Sequence, residues 1–413
     1  MNRLAFLCSG QGSQYIGMGK ELYDNYLEAK EIFDKADEVL GFSLSQLCFS
    51  GDLAELTLTS NVQPAILTYS YALYKVFGKK YDLTPSVVAG HSLGEYTALL
   101  IAGVMDFEDA VRIVRKRGKL MQEAACEDGC MAAVIGFDSD KLKELCDKYS
   151  TEEATVSISN YNSLKQTVIS GSKKVLDKVA AELEGTDATV KYLNVSAPFH
   201  SPYMESAAEK LKEELLKYEF NEFRIPVISN VTGKPYKSKD EIVKNLTKQI
   251  VSPVQWVDSM NYIKTLNIHS YVELGPKRIL ANIVKSDIGP DISFSLDNAQ
   301  DIENLLGRLS WKYGDPTVVS RCMAIAVCTR NNNWDEAEYE KGVSAPYKEI
   351  EALQGKLDET KEAPTKDQML QALDMLKSVF KTKGTPIEEQ RERFAQIFNE
   401  TRTNEMFIDY TVD

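Results

Sequence analysis

The feature that most constrains this chain is the run Ser86-Val87-Val88-Ala89-Gly90-His91-Ser92-Leu93-Gly94-Glu95. An apolar segment of β character ends there in Gly-His-Ser-Leu-Gly, and a helical pattern begins. Ser86–Ala89 reads as a buried strand and Glu95–Ile101 as the helix behind it. A serine flanked by glycines between a strand and a helix is the setting of a nucleophile elbow, whose turn leaves little room beside the backbone. Such a turn lifts the Ser92 hydroxyl clear of the sheet. The helix N-terminus behind it supplies N–H groups and positive potential for a developing oxyanion. Leu4–Leu7, Pro226–Ser229 and Ser270–Leu274 have the character of further buried strands. Strand, tight loop and helix in succession predict an α/β class with a hydrolase-like, mostly parallel sheet.

The rhythm changes between residues 127 and 194. Met131–Gly136, Ala154–Ser159, Thr167–Ser170 and Val190–Val195 read as strands, with helices from Ser139 and from Lys173. This β-α-β-β-α-β order predicts an inserted ferredoxin-like small subdomain. The catalytic core is then discontinuous, spanning 1–126 and 195–300. One helix is expected from Glu21 to about Leu40. Residues 301–413 predict a mainly helical C-terminal extension with no assigned role, either a packed appendage or a docking module for a carrier or synthase. Within it, Thr365-Lys366-Asp367-Gln368 has capping-box form, and Leu370, Leu373, Leu376 and Phe380 follow at helical spacing. Gly384 stops that helix and Thr385-Pro386-Ile387-Glu388 opens another, with Phe394, Ile397 and Phe398 on one face. Asn331–Asn333 and Asp335–Lys341 read as loop or linker.

Composition excludes several function classes. The 413 residues carry 48 basic and 61 acidic side chains, a net charge of −13, which disfavours nucleic acid or an anionic membrane as partner. The seven cysteines are odd in number and form no C-x-x-C, so neither a disulfide framework nor a four-cysteine zinc site is expected, and no metal or cofactor is implied. The apolar stretch Leu4–Cys8 is too short for a secretory segment, and Ala98–Met105 is far too short for a membrane span. A soluble, cytoplasmic monomer is the expectation.

A serine nucleophile needs a base, and the chain has three histidines. His91 lies inside the elbow, where its side chain points away from the reacting side, and His269 precedes a strand and reads as structural. His200, in the Pro-punctuated loop Ser196-Ala197-Pro198-Phe199-His200-Ser201-Pro202, follows a strand, where catalytic partners sit. The loop Gly10-Gln11-Gly12-Ser13-Gln14-Tyr15 invites a dinucleotide reading, but Tyr15 stands at its third glycine position and that reading fails. Its N–H and amide donors suit a carbonyl oxygen near Ser92 instead. By spacing alone, Arg117 belongs to a solvated basic helix face with Arg112, Arg115, Lys116 and Lys119.

Taken together, these motifs resemble malonyl-CoA:acyl-carrier-protein transacylases. The resemblance is carried by Gly10–Gln14, Asn61-Val62-Gln63-Pro64-Ala65, Gly90–Tyr96, Arg117-Gly118, Asn160-Tyr161-Asn162, Gln166–Gly171 and the His200 loop. Ser229–Gly233, Pro253–Trp256 and Glu273–Pro276 complete the order, over residues 1 to about 300 and not beyond. It implies Ser92 as nucleophile, His200 as base and then acid, and the N–H groups of Gln11 and Leu93 as oxyanion hole. It also implies Arg117 as a bidentate clamp on the malonyl carboxylate and Gln249 as the amide that helps orient the imidazole. Gln63, Asn160, Asn162 and Phe199 are implied in support, Phe199 by crowding the site of a 2-methyl branch. The implied partners are malonyl-CoA and the phosphopantetheine arm of an acyl carrier protein, in fatty-acid synthesis or on a polyketide synthase. A serine thioesterase sharing the elbow and base is the alternative chemistry.

Overall fold

The computed structural model describes residues 3–411 apart from positions 82, 127, 196, 290, 291, 311–314, 402, 405, 408 and 409. Ser196, which opens the expected histidine loop, and Glu127, which opens the expected insertion, lie outside the described residues. The chain divides into two compact units, Met1–Asp301 and Ile302–Asp413.

The first unit holds two sheets. Strands β1 (Leu4–Cys8), β2 (Val87–Gly90), β7 (Val227–Ile228), β9 (Ser270–Leu274) and β10 (Ser293–Ser295) form a parallel sheet in the order β10-β9-β1-β2-β7. Every residue of β1, β2 and β9 is buried, as expected of parallel strands covered on both faces. Ala5, Leu7, Val87, Ala89 and Tyr271 line one face, packed on Trp256, Leu280 and Val284. The chain moves from β1 outward to β2 and β7, then returns to the other side of β1 at β9, so the strand order reverses beside β1. Cys8 is in register with both Gly90 and Leu274. The loops after these three strands therefore leave the sheet side by side at its carboxyl edge, the position where such sheets bind ligands.

The second sheet contains β3 (Gly129–Ile135), β4 (Val156–Ser163), β5 (Gln166–Ser172) and β6 (Thr189–Tyr192) in the order β6-β3-β5-β4, with antiparallel pairing. Helices Ser139–Tyr149 and Lys173–Leu183 cover one face, where Leu142, Cys146, Val175 and Val179 meet Ala132, Val134, Ile158 and Ile169. A fifth strand, β8 (Val254–Gln255), comes from much later in the chain and adds parallel to β4. Sequence periodicity had placed the end of β4 at Ser159. The strand continues to Ser163 because β5 pairs with Asn160, Tyr161 and Ser163 on one side while β8 adds to Asn160 and Tyr161 on the other, and register shifts after Ile158 and Tyr161 re-aim its side chains.

Three other expectations need correction. The helix expected from Glu21 to Leu40 is two, Lys20–Asn25 and Leu27–Leu40, because Tyr26 between them is extended (φ −131°, ψ 123°) and lays its ring 6.4 Å from that of Phe77. That contact overrides local helical preference. The strand expected at Val190–Val195 is shorter, ending at Tyr192. Asp335–Lys341 is not a linker. Asp335 accepts the Glu338 N–H and caps helix Glu336–Tyr339, and the wide turn Glu340–Ser344 that follows buries Val343.

The second unit is helical. Helices Val318–Cys328, Ala345–Thr360, Lys366–Lys383 and Ile387–Thr401 share a core of Cys322, Ile325, Leu373, Leu376, Phe380, Phe394 and Ile397. Thr365 and Gln368 form the expected capping box, and Gly384 ends the helix in the left-handed region. Among the described residues, no helix is long and apolar enough to cross a membrane.

Candidate active site

The elbow is built as its glycines require. A Cβ on Gly90 would sit 1.9 Å from the Gly94 carbonyl carbon, and one on Gly94 would sit 2.1 Å from Cys8 O. Helix Leu93–Ile101 begins directly after Ser92, two residues ahead of the expected start, and Ser92 takes φ 52° and ψ −103°. A non-glycine residue is held in that region only when its surroundings over-determine it. Asn230 does much of this, since its Oδ1 accepts the Ser92 N–H at 2.7 Å while its Nδ2 donates to Gly90 O at 2.7 Å.

His200, also at positive φ (57°), brings Nε2 to 2.7 Å from Ser92 Oγ. Its Nδ1 lies 2.7 Å from the backbone carbonyl of Gln249. A carbonyl can only accept, so Nδ1 carries the proton and Nε2 is free to take one from the Ser92 hydroxyl. Burial, then the positive charge of Arg117, pulls the imidazole down to about 3, so it stays neutral at physiological pH. The imidazole is thus held by a peptide oxygen where a triad would use a carboxylate.

Arg117 is not on a solvated face. Arg112, Lys116 and Lys119 of helix Phe107–Glu123 are exposed, whereas Arg117 is 1 % exposed. Gly118 lets this helix lie against helix Thr59–Leu73, since a Cβ there would be 2.5 Å from Thr59 O. Pro64 cannot donate to Ser60 O one turn back, and Arg115 takes that carbonyl together with Asn61 Oδ1. Arg117 then points inward. Its guanidinium donates to Ser92 Oγ at 3.1 Å and to Gln249 Oε1 at 3.0 Å, with its carbon 5.3 Å from the Tyr96 ring centre. Its Nε has no hydrogen-bond partner. Among the described residues, no cluster of three or more histidine, cysteine or acidic side chains could hold a metal.

Comparison with known proteins bears on this geometry. The acyl transferase domain family matches residues 5–309. A malonyl CoA-acyl carrier protein transacylase of Bacillus subtilis is 35 % identical over 401 residues, covering 94 % of this chain and 99 % of its own. A second protein of that name, from Bacillus subtilis strain 168, is 46 % identical over 288 residues, covering 69 % of this chain and 90 % of its own. This chain belongs to the malonyl-CoA:acyl-carrier-protein transacylase family. Among solved structures, a malonyl-transacylase in complex with a type II polyketide-synthase acyl-carrier protein superposes with TM-score 0.69 at 36 % identity, covering 74 % of this chain and 99 % of that one. The 94 % coverage by the first relative corrects one reading of the sequence. The resemblance does extend past residue 300, and the helical extension is shared by at least one transacylase.

The remaining motif residues of this transacylase fall in three groups: those beside the elbow or on the Arg117 side, those on the small sheet, and Phe199 before His200. Leu93 opens the elbow helix, where its N–H has no carbonyl one turn back to bond. Gln11 is half-buried in the loop after β1, which rests on the elbow, since a Cβ on Gly10 would be 2.6 Å from His91 O. Gln63 is fully buried, with Nε2 3.5 Å from the Met121 sulfur and Oε1 unpaired. In the second group, Asn162 ties the small sheet to the elbow, its Oδ1 2.8 Å from His91 Nε2, while Asn160 is engaged by Ser159 Oγ at 2.7 Å. His91 also packs on Trp256, with ring centres 5.5 Å apart. Phe199 is buried, and its carbonyl accepts from Ser170 Oγ at 2.8 Å, which fixes the peptide preceding His200. His269 is half-buried, its N–H bonded to Arg3 O where the chain enters β9.

Sequence reasoning assigned no role to Asn230, Tyr236, Glu95 or Glu273. Glu273, on β9, accepts from Ser9 Oγ at 2.8 Å and from the Ala281 N–H at 2.8 Å, and burial pushes it up to about 7. It thereby anchors the start of the Gln11 loop. The available signal was an acidic residue inside an otherwise apolar strand, which is costly unless it is fully hydrogen-bonded.

Proposed function

We propose that this chain moves a malonyl group from malonyl-CoA to the phosphopantetheine thiol of an acyl carrier protein through an ester on Ser92. Ser92 Oγ attacks the thioester carbonyl while its proton passes to His200 Nε2. The C–S bond breaks, and the leaving CoA sulfur takes that proton. In the second half the carrier thiol gives its proton to His200 and attacks the ester, and Ser92 recovers the proton as it leaves. The oxyanion of each tetrahedral intermediate is met by the N–H groups of Gln11 and Leu93.

One observation carries the substrate choice. Arg117 is a buried cation, 3.1 Å from the nucleophile, whose hydrogen bonds go to a hydroxyl and an amide. Such a cation gains most from an anion that arrives with the substrate. An acetyl group brings none, so the clamp discriminates against it. Phe199, adjoining His200, crowds a 2-methyl branch and favours malonyl over methylmalonyl. Fatty-acid synthesis is the reading its relatives' name supports, and the solved complex with a polyketide carrier supports a polyketide acceptor as the second. The enzyme acts as a monomer in either case.

Intact-protein mass spectrometry with malonyl-, methylmalonyl- and acetyl-CoA tests this. A malonyl adduct should form, persist without carrier and discharge onto holo carrier. Hydrolysis of the adduct faster than its transfer would overturn it in favour of a thioesterase. Arg117→Ala should lose malonyl loading selectively.

A further inference from the structure

Glu95 is the first acidic residue after the nucleophile, and it is fully buried beneath the elbow. Its Oε2 accepts from Gln249 Nε2 at 2.6 Å and from the Asn230 N–H at 3.2 Å, and its Oε1 accepts from the Tyr236 hydroxyl at 2.5 Å. All three neighbours donate, which suits an ionised carboxylate, since that group only accepts. Gln249 is the pivotal partner. Its Nε2 also lies 3.0 Å from Ser92 O, so two acceptors face that end of the amide and its Oε1 is turned to Arg117.

We propose that Glu95 is a positioning residue whose ionised carboxylate sets which way the Gln249 amide points, and so holds the Arg117 guanidinium at Ser92. An amide turned the other way would set its NH₂ against the guanidinium, two donors facing one another, and Arg117 would be displaced from the acyl site. Asn230 links the same carboxylate to the Ser92 backbone, its N–H donating to Glu95 and its Oδ1 accepting from the Ser92 N–H. The titratable groups facing it are Arg117, Tyr236 and the adjoining Tyr96. Burial pushes Glu95 up to about 7 against the pull of Tyr236, Gln249, Asn230 and Arg117. Protonation near neutrality would free the amide to turn.

This role rests on Arg117 as the carboxylate clamp, and the two ideas fail separately. The experiment measures kcat/KM for Ser92 acylation by malonyl-CoA and by acetyl-CoA across the neutral pH range, so that titration of the shared CoA moiety cancels in the ratio. Glu95→Gln should lower the malonyl-to-acetyl ratio by about tenfold or more, the scale of one hydrogen bond to a charged group. In the unaltered enzyme that ratio should rise with pH through about 7, and the rise should vanish in Glu95→Gln. Tyr236→Phe removes one donor from the carboxylate and should move the rise to higher pH. If Glu95→Gln does not fold, the position of the rise in Tyr236→Phe decides. An unchanged ratio in Glu95→Gln, equal loss on both substrates, or an unmoved rise in Tyr236→Phe overturns the proposal. Equal loss of both substrates in Arg117→Ala would instead overturn the clamp itself.

Discussion

The two units bury different things. The first encloses Glu95, Arg117, His200, Gln249, Asn230 and Glu273 near the ends of its parallel strands, and both Ser92 and His200 sit at positive φ. The core of the second is apolar. Among its described residues, the buried polar side chains are Lys383, whose ammonium takes Ala326 O and Thr329 O at the end of helix Val318–Cys328, and Thr385. Among the described residues of this unit, the one non-glycine at positive φ is Lys361, which ends a helix. Buried polarity is costly, and a fold keeps it where its groups are held in a hydrogen-bonded network. The proposed chemistry draws on the buried polar groups of the first unit, and the second is a packed helical body.

Substitutions should separate the two roles. Ser92→Ala should abolish the malonyl adduct, as read by intact mass, with little change in melting temperature; a retained adduct would remove Ser92 as nucleophile. His200→Ala should slow acylation roughly a hundred- to ten-thousand-fold in single-turnover measurements. With His200 in place and its proton lost above about pH 3, acetyl-CoA acylation should not fall through the range around 6.5 where an ordinary histidine titrates. An acid limb near 6.5 on that substrate would break the assignment. In the second unit, Phe380→Ala empties a fully buried site and should cost about 3–5 kcal/mol in denaturant unfolding. Loss of the Thr365 cap in Thr365→Ala should cost about 1 kcal/mol. If either of these last two changed the malonyl-to-acetyl ratio of the folded enzyme, the contrast between the units would fail.

Much of this was legible in the chain because the relevant rules are local. The elbow announced itself by two glycines and a change of period, and the capping box by Thr365 and Gln368; of the three histidines, the loop after a strand singled out His200, whose Nε2 lies 2.7 Å from Ser92 Oγ. What spacing could not reach depends on distant partners. Arg117 belongs to a basic-looking helix by its neighbours, and only helix Thr59–Leu73 and Gly118 turn it inward. Glu95 meets Gln249 across 154 positions of sequence, and nothing in its own helix foretells that contact. Tyr26 breaks a helix for a ring contact with Phe77, and β4 outruns its own pattern because β5 pairs with it to Ser163 and the late-arriving strand β8 pairs with Asn160 and Tyr161.

That late-arriving strand also limits how the enzyme could be re-engineered. The small sheet looks like a cassette bounded by residues 127 and 194, yet its fifth strand, Val254–Gln255, follows closely on the helix that carries Gln249. A chimera that exchanges only the cassette would ask a foreign β4 to pair with a native β8. Any slip in that junction would be passed to the carbonyl that holds His200. Grafts between transacylases should therefore move Pro253–Trp256 together with the insertion.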